Sequence, residues 1–480
     1  MRTRPLTITR RILVPGMAAV MMAPSGVVAH RAPAPARTLE RSLAGPAVLL
    51  ISIDGLRPEY ILDSATYRGT LPNLRRMLRD GAYATGVHGV LPTVTYPSHT
   101  TLITGVSPAR HGIVANTTFD PDLRNQGGWY WYASDITAPT LWDASASAGL
   151  RTANIHWPVS VGANVTLNLP QYWRTGTPDD RKLLRALATP GLVDRLEREL
   201  GPYADGADES IEGDENRARF AERLLDSEQL NFTTAYFTAL DHEQHKGGPL
   251  GPGNPDAMLV LERIDGIVGR LSDALHRRAG RNAAVVVVSD HGFAPATREL
   301  NLLPVLHDAG LLDADSTGHI TAWRAGVWPA GGSVGIVLKD AADASARRRV
   351  WELVDRLRAD TAYGIARVMT GRDLSAAGAF PGAEVVLALR PGFTSGAQVI
   401  GTVLHPSTYK GMHGYSPDVV EMRSSFFVVG PGIARGHALG EIDMRDIAPT
   451  IAGLLGVALP SAERRDLFSN RSVMTPASRP

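Results

Sequence analysis

Cysteine is missing altogether from the 480 residues, so no disulfide and no thiolate metal site can form, and any bound metal has to be held by His, Asp or Glu. An excess of charge is missing too: 49 Lys and Arg face 48 Asp and Glu, a formal net charge of +1, which gives no field to draw in a nucleic acid polymer. No basic stripe interleaved with aromatics runs along the chain, so the expected partner is a small molecule or a chain end. After residue 29 no apolar run is long enough to span a bilayer, and no internal repeat is found. No pattern speaks to oligomeric state. What is present is ordinary globular composition, 44% hydrophobic and 20% charged, enough to bury one large core or two unequal ones without covalent staples.

The N-terminus carries Arg2, Arg4, Arg10 and Arg11, then the apolar stretch Ile12 to Ala29, then a Pro/Ala-rich run. This is the layout of a secretory signal over residues 1–29, with Val27-Val28-Ala29 before a cut, and it predicts an exported, periplasmic or extracellular protein. Pro15, Gly16, Pro24 and Gly26 argue against the alternative, a membrane anchor, so no stable span is expected after the signal is removed. Thr9-Arg10-Arg11-Ile12-Leu13 also resembles a twin-arginine export signal.

Beyond the linker, short apolar runs alternate with amphipathic stretches, which predicts an α/β fold with a mostly parallel central sheet flanked by helices. Ala47–Ile53, Phe232–Leu240 and Ala283–Ser289 read as buried strands, and each is followed by a carboxylate: Asp54, Asp241 and Asp290. Ligands of open parallel sheets bind beyond the strands' C-terminal ends, so the three acids should meet in one crevice. Any one of them alone is as easily a turn or helix cap.

Asp241 and His245 are spaced i, i+4 and share a face if a helical turn follows the strand. Asp290-His291 is a contiguous pair at a strand end, and His413 sits in a loop between Gly411 and Gly414. Three carboxylates packed without cations would raise one another's pKa and cost stability. Two divalent ions remove that cost and leave one positive charge over for an anionic substrate. Mixed His/Asp ligation favours zinc over magnesium. His99, His111, His156 and His242 are read as structural.

In Leu91–Gly105, Pro97 is placed as a first helical residue and Gly105 as the stop, so a short helix is expected to start just after Thr95. A hydroxyl there would face free N–H groups and the positive end of the helix dipole, a seat for phosphate. Thr95 fits a nucleophile and a plain N-cap equally well on local sequence.

The strings Ile53-Asp54-Gly55, Thr95-Tyr96-Pro97-Ser98-His99, His111-Gly112-Ile113-Val114-Ala115-Asn116, Asp241-x-x-x-His245, Asp290-His291-Gly292 and His413-Gly414-Tyr415 resemble the alkaline phosphatase superfamily, and within it the nucleotide pyrophosphatase/phosphodiesterase branch. The likeness runs from about Val48 to Pro460. It implies two Zn²⁺, one held by Asp241, His245 and His413, the other by Asp54, Asp290 and His291 with Thr95 touching it as nucleophile. It also implies a hydrogen bond from Asn116 to a phosphoryl oxygen, and Tyr96 and Tyr236 as stacking surfaces for a base or aryl ester. Ser98 stands where the family often has Asn, and His242-Glu243-Gln244 is an unusual ligand spacer. The stretch Asn154–Pro158 lacks the Lys-x-Arg pair that accompanies monoesterase activity, so a phosphodiester or nucleotide is the implied substrate. A phosphonate C–P hydrolase or phosphomonoesterase with the same metals, and a catalytically silent zinc-binding surface protein, are the competing readings.

The expected organisation is a signal at 1–29, a linker at 30–45, a catalytic core at 46–301 and 401–470, a smaller inserted α+β domain at 302–400, and a tail at 471–480. The inserted stretch carries strand-like segments at Ser333–Leu338 and Glu384–Leu389 and a helix at Ala341–Arg358, and the region 158–231 is read as decoration over the sheet.

Overall fold

An unbroken apolar run such as Ala47–Ile53 is stable as a strand only if both its faces are covered, and every residue of it is buried. The computed structural model describes residues 45–469 except Leu123, Gln126 and Gly127, so the expected signal, almost all of the linker and the tail lie outside the described residues. The strands of the main sheet are β1 (Ala47–Ile53), β2 (Ala82–Tyr83), β3 (Thr152–Ile155), β4 (Leu167–Leu169), β5 (Phe232–Phe237), β6 (Ala283–Val288), β7 (Phe426–Val429) and β8 (His437–Ala438). They lie in the order β8-β2-β7-β6-β1-β5-β3-β4. The block from β6 to β4 is parallel, and β7 runs antiparallel to β6.

The alternation of side chains along each strand divides the core in two. Leu49, Ile51, Phe237 and Val287 face helices α1 (Pro72–Asp80), α4 (Ile211–Ser227) and α6 (Pro255–Ala279). Leu50, Phe232, Val286 and Val288 face α2 (Thr95–Thr104), α3 (Leu141–Ser147) and α7 (Ile447–Leu455). Helix α5 (Ala239–Gly247) follows β5 directly.

Register sets the site. Ser52 lies beside Val288 and Ile53 beside Phe237, so the three central strands leave the sheet at one level. The expected strand Phe232–Leu240 is shorter than its apolar run: it stops at Phe237, and Ala239–Leu240 already belong to α5. Asp241 is therefore delivered by the first turn of a helix, and only Asp54 and Asp290 come straight off strand ends. The region 158–231 does more than cover the sheet, because β4 extends it as an edge strand.

The stretch expected as an insertion contains a four-stranded antiparallel sheet ordered Ala325–Ala330, Ser333–Leu338, Ala383–Leu389, Ile365–Met369, with the helix Ala344–Ala359 packed on it. The apolar core of this layer also takes in Ala294, Ala296 and Leu300 before residue 302 and Met412, Tyr415 and Met422 after residue 400. Strand Ala294–Asn301 joins the two parts by pairing with Gly392–Gly396, Leu404–Pro406 and Gly411–Met412. We propose that 302–400 is an insertion seated on this seam, which carries His413 back to Asp290.

Candidate active site

The turn after β1 is tight: Gly55 has φ +66°, and a Cβ there would lie 3.0 Å from Gln244 and Phe293. Asp54 is thereby held at the sheet's edge, with Gln244 Nε2 donating to the Gly55 carbonyl at 3.0 Å. Gln244 thus accounts for one residue of the unusual spacer. His413 needs a similar turn, since Gly414 has φ +85° and a Cβ there would meet the Ala330 carbonyl oxygen at 2.1 Å.

All three carboxylates are half satisfied by protein. Asp290 Oδ1 accepts from the Gly55 and His291 N–H groups at 3.2 and 3.0 Å, and Tyr236 donates its hydroxyl to Asp54 Oδ2. Asp241 Oδ2 is 3.3 Å from His245 Nε2. The other oxygens, Asp54 Oδ1, Asp241 Oδ1 and Asp290 Oδ2, are buried without a hydrogen-bond partner, as is His291 Nε2. A buried polar atom left unpaired costs about 1–3 kcal/mol, so four of them in one place call for a bound group.

The imidazoles are set in a matching way. His245 Nδ1 is 3.0 Å from the Gly411 carbonyl, His291 Nδ1 3.1 Å from that of Gly292, and His413 Nδ1 3.1 Å from that of Thr93. A carbonyl only accepts, so each Nδ1 carries a proton; Nε2 of His291 and of His413 keeps a lone pair for a ligand, whereas at His245 burial is outweighed by Asp241 beside Nε2, which raises its pKa and holds a second proton there until a cation displaces it. Burial, with His413 nearby, holds His291 well below the usual imidazole range, and burial lowers His413 to about 4, so both rings are neutral and able to coordinate.

Without a cation the acids conflict. Burial first, then the charges of Asp241 and Asp290, pushes Asp54 far above the usual carboxylate range; burial and Asp241 push Asp290 up as well. Burial would also raise Asp241, but His245, His413 and His291 turn its net shift downward. Bound cations would restore the ionised form at all three. Ligand atoms within 4.8 Å of one another form two groups, Asp54–Asp290–His291 and Asp241–His291–His413. The first is the trio expected from sequence. In the second His291 takes the place expected for His245, while the His245 ring lies 5.2 Å from that of His413.

Thr95 lines the same cavity, of about 800 Å³, as Asp54, Asp241, His245 and His413. Helix α2 begins earlier than expected: Val94 is its N-cap, with extended backbone, and Thr95 is the first helical residue, so Pro97 is the third. Thr95 is therefore not a cap. Fewer N–H groups are free than expected: Pro97 has none, Ser98 bonds Val94 O at 3.2 Å, and Tyr96 donates to Asn116 Oδ1 at 2.9 Å. That last bond orients the Asn116 amide, leaving its NH₂ for the cavity. His99 is wholly buried, with Nδ1 2.8 Å from Thr95 O and Nε2 2.9 Å from Ser52 Oγ, so it braces the Thr95 turn against β1. His111 is held by Thr101 and the Ile113 N–H, and His156 stacks on Tyr236.

The two tyrosines expected as stacking surfaces both line the cavity and are almost wholly buried. Tyr236 has His99 edge-on at 4.5 Å and His156 stacked at 5.9 Å, with its hydroxyl on Asp54. Tyr96 bonds Gln171 through its hydroxyl and packs behind Trp129 at 5.1 Å. Trp129 and Trp173, half-buried and 5.2 Å apart, add to the aromatic lining of the cavity, as does Tyr409 beside His245. Sequence reading missed these three, along with Gln171, Glu209 and Lys246. His242 also lies at the rim, 3.2 Å from Glu209.

Asp214 was missed as well. It is fully buried on α4 and accepts the Thr238 and Ala239 N–H groups at 3.2 and 2.8 Å, which caps the helix that carries Asp241 and His245. Arg217, 3.0 Å from it, also donates to the carbonyls of Asp205 and Asp208, next to the rim residue Glu209.

Residues 48–416 match the family model described as type I phosphodiesterase / nucleotide pyrophosphatase. The human ectonucleotide pyrophosphatase/phosphodiesterase family member 1 is 25% identical over 262 residues, 52% of this chain and 24% of that protein. An uncharacterised pyrophosphatase/phosphodiesterase of Schizosaccharomyces pombe is 26% identical over 288 residues, covering 58% and 50%. A bis(5'-adenosyl)-triphosphatase of Xenopus laevis is 27% identical over 260 residues, covering 53% and 48%. The aligned part thus spans between a quarter and a half of these relatives. Among solved structures, an inactive variant of murine ectonucleotide pyrophosphatase/phosphodiesterase 5 in complex with AMP superposes with a TM-score of 0.61 at 19% identity, covering 86% of this chain and 96% of that one.

Proposed function

Since the chain belongs to the type I phosphodiesterase / nucleotide pyrophosphatase family, we propose that it hydrolyses phosphodiester or phosphoanhydride bonds through a covalent intermediate on Thr95. The observation that carries this reading is the cluster of four unpaired buried atoms, on Asp54, Asp241, Asp290 and His291, of which Asp54 and Asp241 line the cavity together with Thr95 while Asp290 and His291 lie behind them. The donor set is nitrogen and oxygen only, which suits two Zn²⁺, with Asp54, Asp290 and His291 at one position and Asp241, His413 and His245 at the other. When bound, such ions supply Lewis acidity for ionising an alcohol and for stabilising a departing oxygen.

The remaining roles fall to the chain's own groups. Thr95 Oγ attacks phosphorus in line, and the ester oxygen opposite leaves; water later reverses the geometry to free Thr95. The Asn116 amide, fixed by Tyr96 N–H, donates to a non-bridging oxygen, a contribution of about 3 kcal/mol for a well-placed donor. Tyr236 keeps Asp54 turned toward the metal position, and the backbone carbonyls of Gly411, Gly292 and Thr93 fix the tautomers of the three imidazoles. Among the described residues lining the cavity there is no arginine, and the one lysine, Lys246, is 3.4 Å from Glu243. A dianionic monoester would find little to neutralise its second charge, which favours a diester. AMP bound to the murine relative fits a nucleotide-sized substrate here, with Trp129 and Trp173 as the face for a base or aryl group.

We further propose export, in keeping with the N-terminal signal; among the described residues no helix is long and apolar enough to cross a membrane. The test compares nitrophenyl phosphodiester, phosphomonoester and phosphonoacetate turnover, with and without chelator. Diester hydrolysis is expected to lead and to vanish on chelation. Faster monoester or phosphonate turnover would overturn the diester assignment, and chelator-insensitive turnover would overturn the metal site.

A further inference from the structure

Next to the reaction cavity lies a second hollow of about 310 Å³. Three stretches of chain run from one into the other. Asn116 and Thr117 line the reaction cavity, and two residues on Phe119 lines the second. Strand Ala325–Ala330 lines the first with Ala330 and the second with Val327 and Trp328. Thr394 and Ser395 belong to the first, Ala397 and Val399 to the second. Thr117 and Pro329 border both, and Trp328 Nε1 donates to the Thr117 carbonyl at 3.3 Å, which holds two of the stretches side by side. Three parallel borders make the second hollow a continuation of the first.

Its chemistry is different. The walls are Phe119, Leu303, Ile320, Val327, Trp328 and Val399, with the Phe119 and Trp328 rings 5.5 Å apart. Asp120, the acid on its border, is turned to its own loop, accepting the Arg124 and Asn125 N–H groups at 2.8 and 2.6 Å. The polar side chains on its border, Thr117, Thr118 and His319, are outnumbered by these apolar walls. The two hollows meet at Thr117, the residue after Asn116, so a substrate arm extending along that border would reach the second.

We propose that this hollow is an annexe of the active site that holds an apolar alkyl or aryl arm of the substrate, so that the preferred diester is amphiphilic, with one arm against Trp129 and Trp173 and the other along Phe119 and Val327. This rests on the phosphodiesterase reading above and narrows it. The experiment uses the metal-loaded protein and a series of nitrophenyl alkyl phosphodiesters from methyl to octyl, kept below micelle formation. Burial of each methylene predicts a rise in kcat/KM of roughly twofold to fourfold per carbon until the annexe is full. Val327→Asp, and independently Phe119→Ser, should flatten the series while leaving the methyl ester rate unchanged, which also reports that the variant is folded. A flat series in the parent protein, or a slope that survives both substitutions, overturns the annexe and leaves the phosphodiesterase reading standing. No turnover of the methyl ester by the metal-loaded parent protein overturns both.

Discussion

The floor and the rim of the reaction cavity are built on different principles. The floor is made where the ends of the central parallel strands meet the first turn of α5 and the His413 loop; it is mostly buried, and its three acids and His291 keep atoms without a hydrogen-bond partner. The rim is made by irregular segments and by the antiparallel layer; it is half-exposed, and its surfaces are Trp129, Trp173 and Tyr409 on one side and the apolar annexe on the other. The floor has one arrangement that works, because a carboxylate shifted off its place is an uncompensated buried charge. The rim can change residue by residue at modest cost. Chemistry should therefore be lost in large steps when the floor is altered, and specificity should drift in small ones when the rim is.

The largest effect is expected at the nucleophile. Thr95→Ala should lower kcat by roughly 10⁴-fold or more with bound metal unchanged, as expected for a residue that forms the covalent bond; residual activity near that of the parent protein would place the attack elsewhere. Next is the phosphoryl contact. Asn116→Ala should cost about 10²- to 10³-fold in kcat and little in KM, measured on a nitrophenyl diester. A change confined to KM would move Asn116 from the floor to the rim.

Asp214 joins the two regions, since it caps α5 while its partner Arg217 holds the loop before Glu209. Asp214→Asn should weaken metal retention by about 10- to 100-fold in chelator competition, because the helix carrying Asp241 and His245 loses its fixed start. Unchanged retention in a folded variant would limit Asp214 to stability. The smallest effect belongs to the wall: Trp173→Ala should raise KM for aryl and nucleotide substrates several-fold, about 1 kcal/mol, with kcat preserved. A loss in kcat instead would blur the division between floor and rim.

The same division decides what the sequence could show. Asp54 and Asp290 are legible because short, strongly apolar runs end beside them, and sheet physics places such ends together. Asp241 is misplaced by a few residues because Thr238-Ala239-Leu240 continues the apolar run, and buried strand and buried helix look alike over so short a stretch. Pro97 suggests a helix start that Val94 makes earlier, since an extended N-cap needs no particular side chain when the first turn is held by Asn116. Trp129, Trp173 and Tyr409 leave no periodic trace: they lie on irregular segments that only tertiary structure brings to the cavity. The Nδ1 contacts that set the imidazole tautomers are made to backbone carbonyls and so have no signature in side-chain sequence at all.

The most direct test of the account is to quench the metal-loaded protein during turnover of a nitrophenyl phosphodiester and map the modified peptide by mass spectrometry. The account predicts a phosphoryl ester on Thr95 in the peptide that spans Leu91–Gly105, formed and lost at rates that match turnover. Sustained hydrolysis with Thr95 unmodified at every quench time, or with the label on another side chain, would contradict it.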